Sequence, residues 1–117
     1  MAHILHLVPA DFYRSLPGAA PYLPQSFESE GFIHCTQGGE LLLQVANQYY
    51  CDTPGDFLVL VIEEDKVTAP VKWETIGTTL FPHIYGPLNR DTVVNVVAVQ
   101  RASDGEFIGY EHALDAR

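Results

Sequence analysis

The chain has 117 residues, 47% hydrophobic and 18% charged, with 15 acidic side chains against six lysines and arginines and a net charge of −9. That length fills one domain around one core, and the apolar content belongs to a folded protein, not a disordered one. The acidic field disfavours phosphate backbones and anionic membranes over a Debye length of roughly 8–10 Å, and the cations Arg14, Lys66, Lys72, Arg90, Arg101 and Arg117 are too scattered for a nucleic-acid footprint.

In chain order, residues 3–8 (HILHLV) read as a short strand with His3, Leu5 and Leu7 on one face and Ile4, His6 and Val8 on the other. Pro9 closes it, and ADFYRSL predicts two helical turns before Pro17-Gly18. Residues 17–26 hold three prolines and a glycine, which predicts an extended surface loop. GFIHC is the second strand. Thr36 then suits the N-cap of a helix over about residues 38–50, with Glu40 near the positive end of its dipole. Leu41, Leu42, Val45 and Tyr49 are the expected buried stripe.

Thr53-Pro54-Gly55-Asp56 predicts a turn, and FLVLVI (57–62) a central strand covered on both faces. In VKWE (71–74), alternation turns Val71 and Trp73 one way and Lys72 and Glu74 the other. The glycine, threonine and proline content of TIGTTLFPHIYGPLN predicts a partly extended loop over the sheet. TVVNVVAVQ (92–100) is a strand, and Asp104-Gly105 predicts a hairpin turn into a short last strand and a polar tail. The sum is an α+β domain with more strand than helix.

Cys35 and Cys51 lack CxxC or finger spacing, so no structural zinc is expected. MAHILHLVPADFY lacks a basic leader and a cleavage site, and no apolar run nears the roughly 20 residues of a membrane span. The expectation is a cytoplasmic protein with reduced thiols.

His6, His34 and His83 each sit among apolar neighbours. Each could be a hydrogen-bonded structural histidine; one shared polar pocket would satisfy all three together. Zinc hydrolysis by the three has no ligand spacing behind it. Cys35 and His34, as strand neighbours, point to opposite faces, which favours a buried structural thiol over a nucleophile. Thr36 returns to the His34 face, as helix cap or as a hydroxyl for a ligand. Glu74 is a solvated carboxylate or a fixed charge that steadies a sugar oxocarbenium ion. Tyr85 is core or a stacking surface for a flat ring, with Gly86 letting the backbone approach. No phosphate loop, GxGxxG or GxSxG motif occurs.

GFIHCT, Ala46-Asn47, VKWE and LFPHIYGPL together resemble domain of unknown function family 952, a group of small, mostly bacterial proteins, from about Ile4 to Val99. The resemblance implies an ADP-ribosyltransferase-like fold: split β-sheets with one main helix and a shorter N-terminal helix, binding NAD in a cleft between the sheets. It looks most like the RNA 2′-phosphotransferase branch. His6 matches a histidine that holds the ribose or the nicotinamide amide. His34 and Thr36 stand where the second strand meets the helix. Glu74 is the candidate for the glutamate that orients the ribose 2′-hydroxyl, with His83 the competing occupant.

Two departures narrow this. No arginine pair lies near the motifs, and the net charge disfavours a tRNA-like substrate. Glu74 also lacks the Glu-x-Glu or Gln-x-Glu setting of arginine-specific transferases. Length, spacing, charge and hydropathy thus point to one domain over 1–117 with no metal, nucleic-acid or membrane partner, and the resemblance implies NAD or a related nucleotide as substrate. The reaction would lie at the nicotinamide–ribose bond, with Glu74, His83 and His34 catalytic and His6, His34, Thr36 and Tyr85 binding the ligand. The alternative is a non-catalytic small-ligand-binding module or a structural domain of the same fold.

Overall fold

The computed structural model describes residues 3–110. Strands β1 (His3–Pro9), β3 (Phe57–Glu63), β6 (Val93–Arg101) and β7 (Phe107–Tyr110) form one antiparallel sheet in the order β1-β3-β6-β7. Strands β2 (Ile33–His34), β5 (Thr79–Ile84) and β4 (Val71–Ile76) form another, in the order β2-β5-β4. Helices α1 (Ala10–Ser15), α2 (Phe27–Glu30) and α3 (Gly39–Tyr49) complete an α+β architecture. None of them is long and apolar enough to cross a membrane. The polar tail expected after the last strand lies outside the described residues.

β3 explains the layering. All seven of its residues are buried, as its unbroken apolar run requires. Leu58, Leu60 and Ile62 join Ile4 and Val8 of β1 and Ile33 and Ile84 of the second sheet in one core layer. Val59 and Val61 join Leu5, Leu42 and Val97 in another, where α3 covers the sheet. Each such side chain contributes about 1.5–3 kcal/mol through burial. The alternation expected in β1 holds: Ile4 and Val8 face the first layer and Leu5 and Leu7 the second. The two sheets are stitched through their backbones where Leu5 and Thr36 exchange both hydrogen bonds at 2.8 Å.

Several expectations are corrected. Thr36 pairs with Leu5 and does not cap α3, whose N-cap position is Gly38. The buried positions of α3 are Leu42 and Ala46, one turn apart, whereas Tyr49 is 65% exposed. The stretch expected as a loop over the sheet contains β5, the middle strand of the second sheet. A proline in a central strand would ordinarily break a ladder. Pro82 escapes because its carbonyl accepts from Cys35 N (3.1 Å), so its nitrogen faces the end of β2, where pairing has already run out. Residues 17–26 are not wholly a surface loop, since Tyr22 is fully buried and pairs with Leu88.

Arg101 fastens the loop after α3. Its guanidinium donates to the carbonyls of Thr53 (2.7 Å), Gly55 (2.7 Å), Cys51 (3.1 Å) and Gly105 (2.9 Å) and lies 4.2 Å from the Phe107 ring centroid. Gly105 is required here: its φ is +98°, and a Cβ would run into the Cys51 carbonyl. A planar fork fits this set of acceptors and a lysine does not. Arg101→Lys is therefore expected to lower stability by about 2 kcal/mol in urea denaturation, despite keeping the charge.

Candidate functional site

The second sheet has two unlike faces, and its register sorts them. His34 lies opposite His83, and His83 opposite Lys72; Ile33 lies opposite Ile84, and Ile84 opposite Val71. Directly opposed residues share a face. Ile33, Cys35, Ile84 and Val71 thus point into the core, and Phe32, His34, Phe81, His83, Tyr85, Lys72 and Glu74 point away from it. Burial raises the Cys35 thiol well above its ordinary range, so it is a structural thiol and no nucleophile.

Glu74 is the hub of the outer face. Its Oε1 accepts from His83 Nδ1 at 2.7 Å and from the Tyr85 hydroxyl at 2.6 Å. These two donors, Tyr85 first, hold the Glu74 carboxyl below its usual range, and the carboxylate in turn raises the Tyr85 phenol. At neutral pH the group is a carboxylate flanked by a neutral phenol. Because a carboxylate only accepts, His83 carries its proton on Nδ1. Nε2 of His83 and Oε2 of Glu74 make no hydrogen bond among the described residues. Lys72 Nζ sits 4.8 Å from the Tyr85 ring centroid, adding a cation–π contact.

An aromatic layer covers the imidazole. Phe32 stacks on His83 with centroids 4.2 Å apart and planes 23° apart, leaving His83 3% exposed. The His34 ring meets that of His83 edge-on at 5.4 Å, and its Nε2 donates to Glu30 Oε1 at 2.8 Å. Glu30 ends α2, and Gly31, at φ +82°, makes the left-handed turn that brings the chain back towards β2. Each histidine on this face is therefore oriented by its own glutamate. Tyr85 also borders a shallow groove of about 410 Å³ with Pro21, Pro70 and Pro87 in its walls. Gly86 there permits a close backbone approach to Ala69, whose Cβ would lie 2.9 Å from an added Cβ.

Of the six residues expected in one pocket, the structure brings four together: His34, Glu74, His83 and Tyr85. His6 lies behind the sheet at 5% exposure. Its Nδ1 donates to the His34 carbonyl at 2.6 Å, which fixes Nε2 as the acceptor of the Tyr22 hydroxyl at 2.7 Å. Both ring nitrogens are occupied, and burial lowers its pKa to about 4. The Thr36 hydroxyl is buried with no hydrogen-bond partner among the described residues. Phe32 and Glu30 also belong to the face and were not expected there, whereas Lys72 lies on the Glu74 side as the alternation of VKWE predicts. Alternation from His34 would have placed Phe32, and the four-residue spacing would have suggested Glu30. Among the described residues, no three His, Cys, Asp or Glu side chains are grouped to hold a metal ion.

Two outcomes follow. The folded state refuses a proton at His6 that the unfolded chain accepts from its ordinary pKa of 6.5 downward. Stability is therefore full above 6.5 and falls as the pH drops towards 4, by about 3 kcal/mol in all. Thermal melts of His6→Gln should show a shallower decline over that range. In Glu74→Gln, the ionisation of Tyr85 should fall back towards that of an ordinary tyrosine, read by ultraviolet absorbance titration.

Comparisons with known proteins agree with this fold. The crystal structure of protein CC0527 from Caulobacter crescentus superposes with a TM-score of 0.77 at 21% identity, covering 91% of this chain and 93% of that one. The solution NMR structure of the same protein gives 0.67 at 21% identity, covering 100% and 97%. At that identity the likeness is one of fold alone. No curated protein matches the chain. The model of the family described as "Protein of unknown function (DUF952)" matches residues 7–96, so the chain belongs to the DUF952 family.

Proposed function

We propose that this protein binds NAD or a related nucleotide on the outer face of its second sheet and that Glu74 acts at the nicotinamide–ribose bond. The observation that carries this reading is the state of Glu74. Its carboxylate is kept charged by the Tyr85 hydroxyl and His83 Nδ1, while Oε2 remains unbonded on a partly exposed face. Breaking the bond to nicotinamide leaves positive charge on the ribose, and a prepositioned negative charge lowers the energy of that state. Phe32 and Tyr85 offer ring faces for stacking a base, and His34 Nδ1 is open to a ribose hydroxyl.

In this reading the two sheets and the main helix correspond to the split sheets of the ADP-ribosyltransferase-like group. His6 does not touch the ligand; it anchors the His34 carbonyl and so sets the height of β2. Thr36, whose hydroxyl is buried, also drops out of the contact set. The cytoplasm is the compartment assigned, since it supplies NAD and keeps Cys35 and Cys51 reduced.

A second reading, a binding module without chemistry, is favoured by one observation. His83 is covered by Phe32 and tied to Glu74, so it is poorly placed to take a proton from a substrate. Thermal shift with NAD and ADP-ribose, followed by a nicotinamide-release assay, decides between them. Ligand at about 100 times its dissociation constant adds about 2.7 kcal/mol of stability. The catalytic reading expects that shift together with release that falls about 10²–10³-fold in Glu74→Gln. A shift without release selects the binding module, and no shift with either nucleotide overturns both.

A further inference from the structure

β4 is the outer strand of the second sheet, and the backbone shows which of its groups are unpaired. The Pro82 carbonyl bonds to Cys35 N, so Pro82 turns its backbone groups towards β2. Trp73 lies opposite Pro82, and residues of an antiparallel ladder alternate between bonding one neighbour and the other. Val71, Trp73 and Thr75 therefore direct N–H and C=O away from β5. The bond from Tyr85 N to Pro70 O at 2.8 Å fits the same alternation. Among the described residues no strand covers this edge, and Trp73 (36% exposed), Ile76 (52%) and Leu80 (53%) leave apolar surface beside it.

The edge is complementary to itself. About a two-fold axis at Trp73, antiparallel pairing sets Trp73 against Trp73 of a second copy and Val71 against Thr75, each pair exchanging both backbone hydrogen bonds. Lys72 then faces Glu74 and Glu74 faces Lys72, at the non-bonded positions where side chains come closest. The neighbouring in-phase registers would set Lys72 against Lys72 or Glu74 against Glu74, so the charges select one register. Charges on an edge strand ordinarily keep other strands away; here their order and sign suit a second copy of the same strand.

We infer that the chain forms a two-fold dimer through β4, with three strands from each copy joined in one continuous sheet. The outer faces of the two second sheets then run together, and Lys72 of the second copy comes beside Glu74. Any bearing of that lysine on nucleotide binding rests on the ligand reading above; the dimer itself does not.

Analytical ultracentrifugation of the purified chain tests this. A reversible, concentration-dependent dimer is expected. Lys72→Glu and Glu74→Lys should each weaken it by about tenfold, while the double exchange Lys72→Glu with Glu74→Lys should restore it. Thr75→Pro should abolish it, because the lost N–H points outward and takes no bond from β5. Circular dichroism checks that each variant is folded, and the charge exchange decides alone if Thr75→Pro is not. A monomer at every concentration would overturn the proposal, as would a dimer indifferent to both single reversals. Nucleotide binding by a strict monomer would sink the dimer and spare the ligand reading; a dimer that binds no nucleotide would do the opposite.

Discussion

One carboxylate oxygen organises the face that distinguishes this protein. Glu74 Oε1 accepts from an imidazole of β5 and from the phenol of Tyr85 just beyond its end, at 2.7 and 2.6 Å. Two donors on one oxygen, with Lys72 nearby adding a smaller attraction, keep the carboxyl ionised, and they place the His83 proton on Nδ1 and orient the Tyr85 hydroxyl. Phe32 then closes over the imidazole. The result is a negative charge fixed on a stiff aromatic support while the carboxylate itself stays partly exposed to solvent.

Behind that face the support is equally specified. His6 reaches through from the first sheet to the His34 carbonyl, and Tyr22 donates to its other nitrogen. Arg90 lies over the Tyr13 ring at 5.1 Å and more distantly over Tyr22. β2 has only two residues in its ladder, so ladder bonds alone would hold His34 loosely. The Leu5–Thr36 exchange and the His6 bond supply the remaining constraint, which ties the position of the outer face to the packing of β1 against β3.

Much of this was legible where period-two alternation is clean. HILHLV placed its faces correctly, FLVLVI had no polar residue to expose, and GFIHC separates an inward Ile33 and Cys35 from an outward His34. The reading failed where long-range partners override local composition. Pro82 and the flanking glycines disguised β5, because nothing local shows that β2 ends just where Pro82 lacks a donor. Tyr22 sits in a proline-rich stretch, and its burial is set by His6, 16 residues earlier. In α3 the eye goes to large side chains, yet the helix packs closely through Ala46. A resemblance to a fold group points to His6 as a ligand contact, but it cannot tell an imidazole facing a cleft from one bonded behind a strand, and alternation puts Thr36 on the His34 face without showing that its hydroxyl is buried.

The most direct test of the Glu74 arrangement is a nuclear magnetic resonance titration following the Glu74 carboxyl carbon and the His83 ring nitrogens. The account predicts a Glu74 carboxyl that titrates below the usual glutamate range and a His83 ring that keeps a proton on Nδ1. A Glu74 that titrates in the usual glutamate range, or a His83 ring without a proton on Nδ1, would contradict it.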